Sequence, residues 1–237
     1  MSPKPDLTSS TADPAPHYTV RRAQTPPTGQ GHWDDPAWTP ADPLEITHFQ
    51  ARSSAHRPRT RARLLYDDTR LFVIFHVADH YVRAVAREYQ DMVCWDSCVE
   101  FFVQPRGTGG YFNFEVSANG HLLLYYIREG INPDGQLNNR EPVPPEAVRD
   151  LTIHHSLPDR IEPERVGPCE WTIEYAIPLA LFARYTGPVT PLTGQTWRAN
   201  FYKCGDRTSQ PHWGMWAPVQ TGNSFHQPRF FGWLRFA

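Results

Sequence analysis

Tyr111-Phe112-Asn113-Phe114-Glu115-Val116 is the stretch whose reading decides the fold. Successive side chains of a strand point to opposite faces, so Phe112, Phe114 and Val116 are expected to face a core and Asn113 and Glu115 the other side. The same pattern extends outward in both directions. Short β-branched and aromatic runs, separated by Gly, Pro, Asn and Asp, cover residues 44–49, 61–66, 71–78, 98–104, 122–127, 151–155, 170–177, 196–204 and 230–236. Many short strands with turn signals between them predict an all-β chain, an antiparallel, jelly-roll-like β-sandwich. Its core should include Phe72, Ile74, Val99, Phe101, Phe112, Phe114, Ile173 and Phe201. Helix is expected only as a short piece near residues 145–149, within a proline-rich loop over 132–150, and as one turn over 178–182, where a proline opens it.

At 237 residues the chain can bury a substantial core, and its formal charge of -2 with no basic stripe argues against a nucleic-acid partner. No apolar run approaches the length that spans a bilayer, so a soluble chain without a membrane partner is expected. Residues 1–31 are rich in Pro, Ser and Thr and are expected to form a disordered tail, leaving one domain over 32–237. The first residues contain no apolar signal-peptide core, which predicts a cytoplasmic protein. Four cysteines, Cys94, Cys98, Cys169 and Cys204, make no Cys-x-x-Cys pair and are expected to be reduced and mostly buried.

The C-terminal third adds chemistry to this frame. Trp197-Arg198-Ala199-Asn200-Phe201-Tyr202-Lys203 is followed by Trp213-Gly214-Met215-Trp216 and by Asn223-Ser224-Phe225-His226. Alternation puts Arg198, Asn200 and Tyr202 on one strand face and Ala199, Phe201 and Lys203 on the other. Flat aromatic faces accept the polarised C–H bonds of a pyranose, while amides and carboxylates meet its hydroxyls. The polar faces therefore either line a ligand site or simply face water, as one side of an antiparallel sheet commonly does.

Three blocks, Asp96-Ser97-Cys98-Val99-Glu100-Phe101-Phe102, Glu170-Trp171-Thr172-Ile173-Glu174-Tyr175-Ala176-Ile177-Pro178 and the ending from Asn223 to Leu234, resemble the family 9 carbohydrate-binding modules and family 9-like proteins. The early hairpin around Leu64 to Val73 adds a weaker fourth. The resemblance implies a non-catalytic module that binds a mono- or oligosaccharide in connection with polysaccharide breakdown. It also implies an aromatic clamp, for which Trp95 and Phe225 are the matching positions, with Glu100 and Asn200 at its base. Trp95 sits one residue nearer the strand than the pattern places it, Phe225 stands where the family has Trp, and Glu115 stands where it has arginine. With neighbours on the same faces, the candidate ligand-binding set is Trp95, Glu100, Asn113, Glu115, Asn200, Trp216, Asn223 and Phe225.

Other chemistries have candidates of their own. Asp96, Glu100 and Glu115 could supply the carboxyl pair of a glycosidase. Met92, Met215, His76, His80 and Lys203 are conceivable haem ligands. No cofactor is expected, although the resemblance allows structural calcium, for which Asp67, Asp68 and Asp79 are the oxygen donors near strand ends.

Overall fold

A computed structural model describes residues 15–107, 109–132, 136–137, 139–220 and 222–237. In chain order its strands are β1 (His17–Arg22), β2 (Leu44–Ile46), β3 (His48–Phe49), β4 (Arg59–Tyr66), β5 (Arg70–Ala84), β6 (Cys98–Gln104), β7 (Tyr111–Ser117) and β8 (Leu122–Leu123). They continue with β9 (Tyr125–Ile127), β10 (Arg140–Pro142), β11 (Thr152–His155), β12 (Ile161–Pro178), β13 (Thr196–Cys204), β14 (Trp213–Met215) and β15 (Gly232–Phe236). Among the described residues one α-helix, α1 (Leu179–Thr186), follows β12 directly, and a single 3-10 turn over Pro145–Ala147 marks the short helical piece expected there.

The strands form two faces of a sandwich. One sheet runs β10-β9-β7-β6-β13-β15-β1, and the other runs β1-β4-β5-β12-β11. Strand β1 belongs to both, because His17 to Val20 pair in parallel with β15 while Arg21 and Arg22 pair with β4. The remaining interior pairings are antiparallel, and each fixes which side chains turn inward.

Between the sheets lies a continuous aromatic core. Phe101 stacks on Phe201 at 4.9 Å, Phe75 of the second sheet meets Phe201 at 6.1 Å, and Phe114 faces Tyr175 at 6.4 Å. Phe112, Phe114 and Val116 all enter this core, as the alternation predicts. Phe72 and Ile74 do not. Both are buried, but on the outer face of the second sheet beneath Trp33 and Trp38, while Leu71, Val73, Phe75 and Val77 face the sandwich interior. The run Leu71-Phe72-Val73-Ile74-Phe75 is apolar throughout, so alternation cannot say which set turns inward; the cover supplied by 33–41 buries both.

Two strands and the helix exceed their expected lengths. β12 spans eighteen residues because register shifts between Ile161 and Arg165 and between Val166 and Cys169 absorb Pro163, Gly167 and Pro168, which read as breakers in the sequence. The helix buries Leu179, Leu181 and Phe182 and ends at Gly187, whose φ of +78° suits glycine.

The expected tail over 1–31 is corrected in its second half. Residues 1–14 lie outside the described residues, but β1 buries Tyr18 and Val20, and the carboxylate of Glu174 accepts the N–H groups of Gly29 at 3.2 Å and Gly31 at 2.6 Å. A Pro- and Thr-rich composition concealed one alternating strand and a loop held by a buried acid. All four cysteines are free thiols, Cys94 half-buried and the others buried. Among the described residues no helix is long and apolar enough to cross a membrane.

Candidate functional site

Three neighbouring strands put a row of polar groups on the face of the first sheet that looks away from the sandwich core. Antiparallel pairing sets Tyr202 of β13 opposite Glu100 of β6, and Glu100 opposite Glu115 of β7. Water does not cover this face. The turn at 92–96 and the loop at 222–231 fold over it, and Phe102, Tyr111, Tyr202, Met215, Phe225 and Phe231 form a second apolar cluster there. An opening of about 220 Å³ remains, lined by Arg52, Cys94, Glu100, Phe102, Glu115, Cys204, Asp206, Trp213 and the segment Asn223 to His226.

Its floor is acidic and dry. Glu100 is 3% exposed and Glu115 6%. Burial, followed by the charge of Glu115, pushes the Glu100 carboxyl well above the usual range, and burial carries Glu115 to about 7. The Cys204 thiol donates to Glu100 Oε1 at 3.0 Å, and Asn113 Nδ2 donates to Glu115 Oε1 at 2.8 Å. Asp206 is also raised by burial and accepts from Trp213 Nε1 at 2.7 Å. The aromatic walls are Trp213, which carries the Arg52 guanidinium 3.8 Å from its ring centre, and Phe225, which stacks on Tyr202 at 4.0 Å and 13°.

Of the eight expected ligand residues, Glu100, Glu115, Asn223 and Phe225 line this cleft. The other four do not. Trp95 is 38% exposed on the turn beside it, under the Arg207 guanidinium at 3.3 Å, and does not line the opening that Phe225 lines, so the expected pairing of the two across one cleft is not formed. Asn113 lies behind Glu115, accepting the Tyr125 N–H at 2.6 Å. Asn200 is fully buried and ties the chain at Ala217, donating to its carbonyl and accepting its N–H, both at 2.8 Å. Trp216 packs into the sandwich core against Phe201 at 5.6 Å.

Trp213 lines the cleft, although the candidate set drawn from the sequence did not contain it. Its signal was obscured because β14 is three residues long and its neighbours Arg52 and Asp206 come from separate loops. No spacing rule links residues 52, 206 and 213; only the fold brings them together.

The remaining candidates are engaged elsewhere. Asp96 bonds Arg83 at 2.5 Å and accepts the N–H groups of Val85 and Ala86 at 2.7 and 2.8 Å, which anchors the turn and keeps it out of the cleft. Asp67 caps the N–H groups of Thr69 and Arg70, and Asp68 pairs with Arg22. Asp79 stands about 30 Å away along β5 by strand rise, where it pairs with Lys203 and His56. The three carboxylates therefore do not converge on one ion. Met92 is exposed, Met215 Sδ accepts the Val219 N–H, Lys203 is buried against Asp79, His76 packs on Trp33 and His80 on Tyr81, so the haem candidates are dispersed. The ligand atoms of Cys98, Glu100 and Cys204 do lie within 4.8 Å of one another, a donor set suited to a thiophilic ion. Burial raises Cys98 to about 12, and the Cys98 contact with burial raises Cys204 further, so both thiols hold their protons.

A second depression, of about 350 Å³, lies on the outer face of the other sheet beside Pro27, Phe72 and Glu174. The Glu174 carboxylate there already serves Gly29 and Gly31, whereas among the described residues Glu100 and Glu115 have only Oε1 engaged.

Residues 39–236 match the family described as carbohydrate-binding family 9. A Bacteroides uniformis protein proposed to bind carbohydrate is similar in structure, with a TM-score of 0.81 and 28% identity over 93% of this chain and 99% of that one. A family 9 module from Caldicellulosiruptor kristjanssonii, solved in complex with cellotriose, shares the fold at a TM-score of 0.63 and 14% identity, covering 93% of each chain. The same organism's family 9 module in complex with glucose gives 0.56 and 14% identity over 92% of this chain and 95% of that one. None of the curated protein sequences matches the chain.

Proposed function

Because this chain belongs to carbohydrate-binding family 9, we propose that the cleft over Glu100 and Glu115 is where it holds a saccharide, and that it does so without cleaving it. One observation carries the reading. Two buried carboxyls with free acceptor capacity and two aromatic side chains line a single opening, which is the combination a hydroxylated ring requires. At about 220 Å³ the opening is smaller than the roughly 300–1,000 Å³ of common ligand pockets, which suits one sugar ring or a chain end.

Binding without turnover is supported by the state of the acids. Asp96, one of the three carboxylates with which a glycosidase could have worked, is fully engaged in its turn, and Glu100 and Glu115 stand side by side on adjacent strands. Affinity of order micromolar to millimolar, about -8 to -4 kcal/mol, is expected because each sugar hydroxyl exchanges a water hydrogen bond for a protein one.

Calorimetry of the full chain against mono- and disaccharides tests this, alongside chromogenic glycosides as a check for hydrolysis. Binding that is lost in Phe225→Ala and Glu100→Gln and retained in Glu170→Gln supports the reading. No heat with any sugar, or release of the chromophore, would overturn it.

A further inference from the structure

We propose that the cleft selects a saccharide unit carrying a protonated amine, an amino sugar, over the same unit with a hydroxyl in its place; the inference rests on the saccharide-binding reading above. The argument begins with charge. Glu100, Glu115 and Asp206 place three carboxyl groups around one opening, and Arg52 is the cation that lines it. The Arg52 guanidinium already donates to Gln50 Oε1 at 2.7 Å and to the Asn223 carbonyl at 3.2 Å, and it lies flat on Trp213. Among the described residues no ion pair joins it to any of the three acids. His226 brings no positive charge either, since burial, aided by Arg140, lowers it to about 3.

Hydrogen bonding points the same way. Glu100 and Glu115 are each more than nine-tenths buried and line the opening, and each has Oε1 engaged within the protein. Neither Oε2 takes a hydrogen bond among the described residues. Like charges directly opposite on neighbouring strands repel, so the ligand-free pair holds a proton; the raised positions of both carboxyls agree. A sugar hydroxyl offers one donor and leaves that repulsion in place. An ammonium offers three donors and a full charge, replaces the proton and lets both acids ionise around it. Phe225 and Trp213 then supply the apolar contact for the ring that bears the amine.

The test uses three disaccharides that differ at carbon 2 of each ring: cellobiose with hydroxyls, the glucosamine dimer with amines, and its N-acetylated form. Titration of the full chain at pH 7 and low salt should show the glucosamine dimer binding at least tenfold tighter than either neutral partner. Glu115→Gln, which keeps the shape and removes the charge, should bring the three within about twofold; the surface change Glu170→Gln should not. Ethanolamine, an ammonium without a ring, should give no heat. Equal affinity for all three disaccharides, or tight ethanolamine binding, would overturn the selectivity while leaving saccharide binding or its failure separately visible in the cellobiose arm. Silence in every arm would overturn both.

Discussion

Lys203 Nζ lies 3.4 Å from Asp79 Oδ2 with both side chains fully buried, so one ion pair joins β13 of the first sheet to β5 of the second. Burial alone would raise Asp79, but the Lys203 charge and the hydrogen bond from His56 at 2.7 Å hold it well below the usual carboxylate range. Lys203 also donates to His212 Nε2 at 2.8 Å and to the Cys204 carbonyl at 2.9 Å. The pair thus sits in a nearly complete polar network inside an aromatic core.

Removing one partner should cost far more than removing both. Lys203→Met leaves the Asp79 charge buried and is expected to lower stability by about 3–5 kcal/mol. The double change Lys203→Met with Asp79→Leu should recover most of that loss. Urea unfolding at pH 7 of the two variants measures the difference, and equal losses would show that the pair acts only through packing.

Two opposing pH dependences of stability should overlap in the acid range, for separable reasons. Burial lowers His212 and His226 to about 3 from 6.5, so the folded state binds fewer protons than the unfolded chain and loses stability as pH drops below 6.5 towards 3. Glu115 runs the opposite way: its carboxyl rises from 4.5 to about 7, so the stability it contributes is present below 4.5 and is lost as pH climbs through 7. Glu115→Gln should therefore match the parent near pH 4.5 and exceed it at pH 8. Denaturation midpoints across that range check the crossing.

The aromatic that matters for binding is expected to be Trp213. Trp213→Ala should weaken saccharide binding by about fivefold or more, on the order of 1 kcal/mol of ring contact, while Trp95→Ala should change it less than twofold. Calorimetry on the same sugar decides between them. A larger loss in Trp95→Ala would mean that the turn at 92–96 rearranges around the ligand.

Gly31 is fixed by two constraints at once. Its φ is +72°, and a Cβ there would meet His154 Cδ2 at 2.4 Å. Gly31→Ala should destabilise by about 1–3 kcal/mol through backbone strain and weakened donation to Glu174. Thermal unfolding beside the matched control Gly194→Ala, whose φ is also positive but whose Cβ meets nothing within 4 Å, separates strain from collision.

Alternation made β7 and β13 legible, since their apolar and polar residues occupy opposite faces; it could not decide Leu71 to Phe75, where both faces are apolar. Glu100, Glu115 and Phe225 were legible as a site through their motif blocks. Arg52, Asp206 and Trp213 were not, because loops separated by up to 161 residues place them, and loop paths carry no periodicity. Trp95 misled for a related reason: the sequence shows an aromatic beside the strand, but not that the turn at 92–96 leaves its ring outside the lining of the cleft.

Strand β15 lies between β13 and β1, and β1 alone carries the pairing onward to β4. Seen in the order of synthesis, the seam that closes the sandwich is laid last. Strands β4, β5 and β12 can pair as soon as they exist, but His17 to Val20 of the first strand find their partner β15 only when residues 232–236 have been made. Until then, β1 and β13 each present an open edge, the kind of surface on which a growing chain recruits the wrong strand. Premature termination just before Gly232 would therefore yield a chain holding nearly all of the site residues and prone to associate edge to edge.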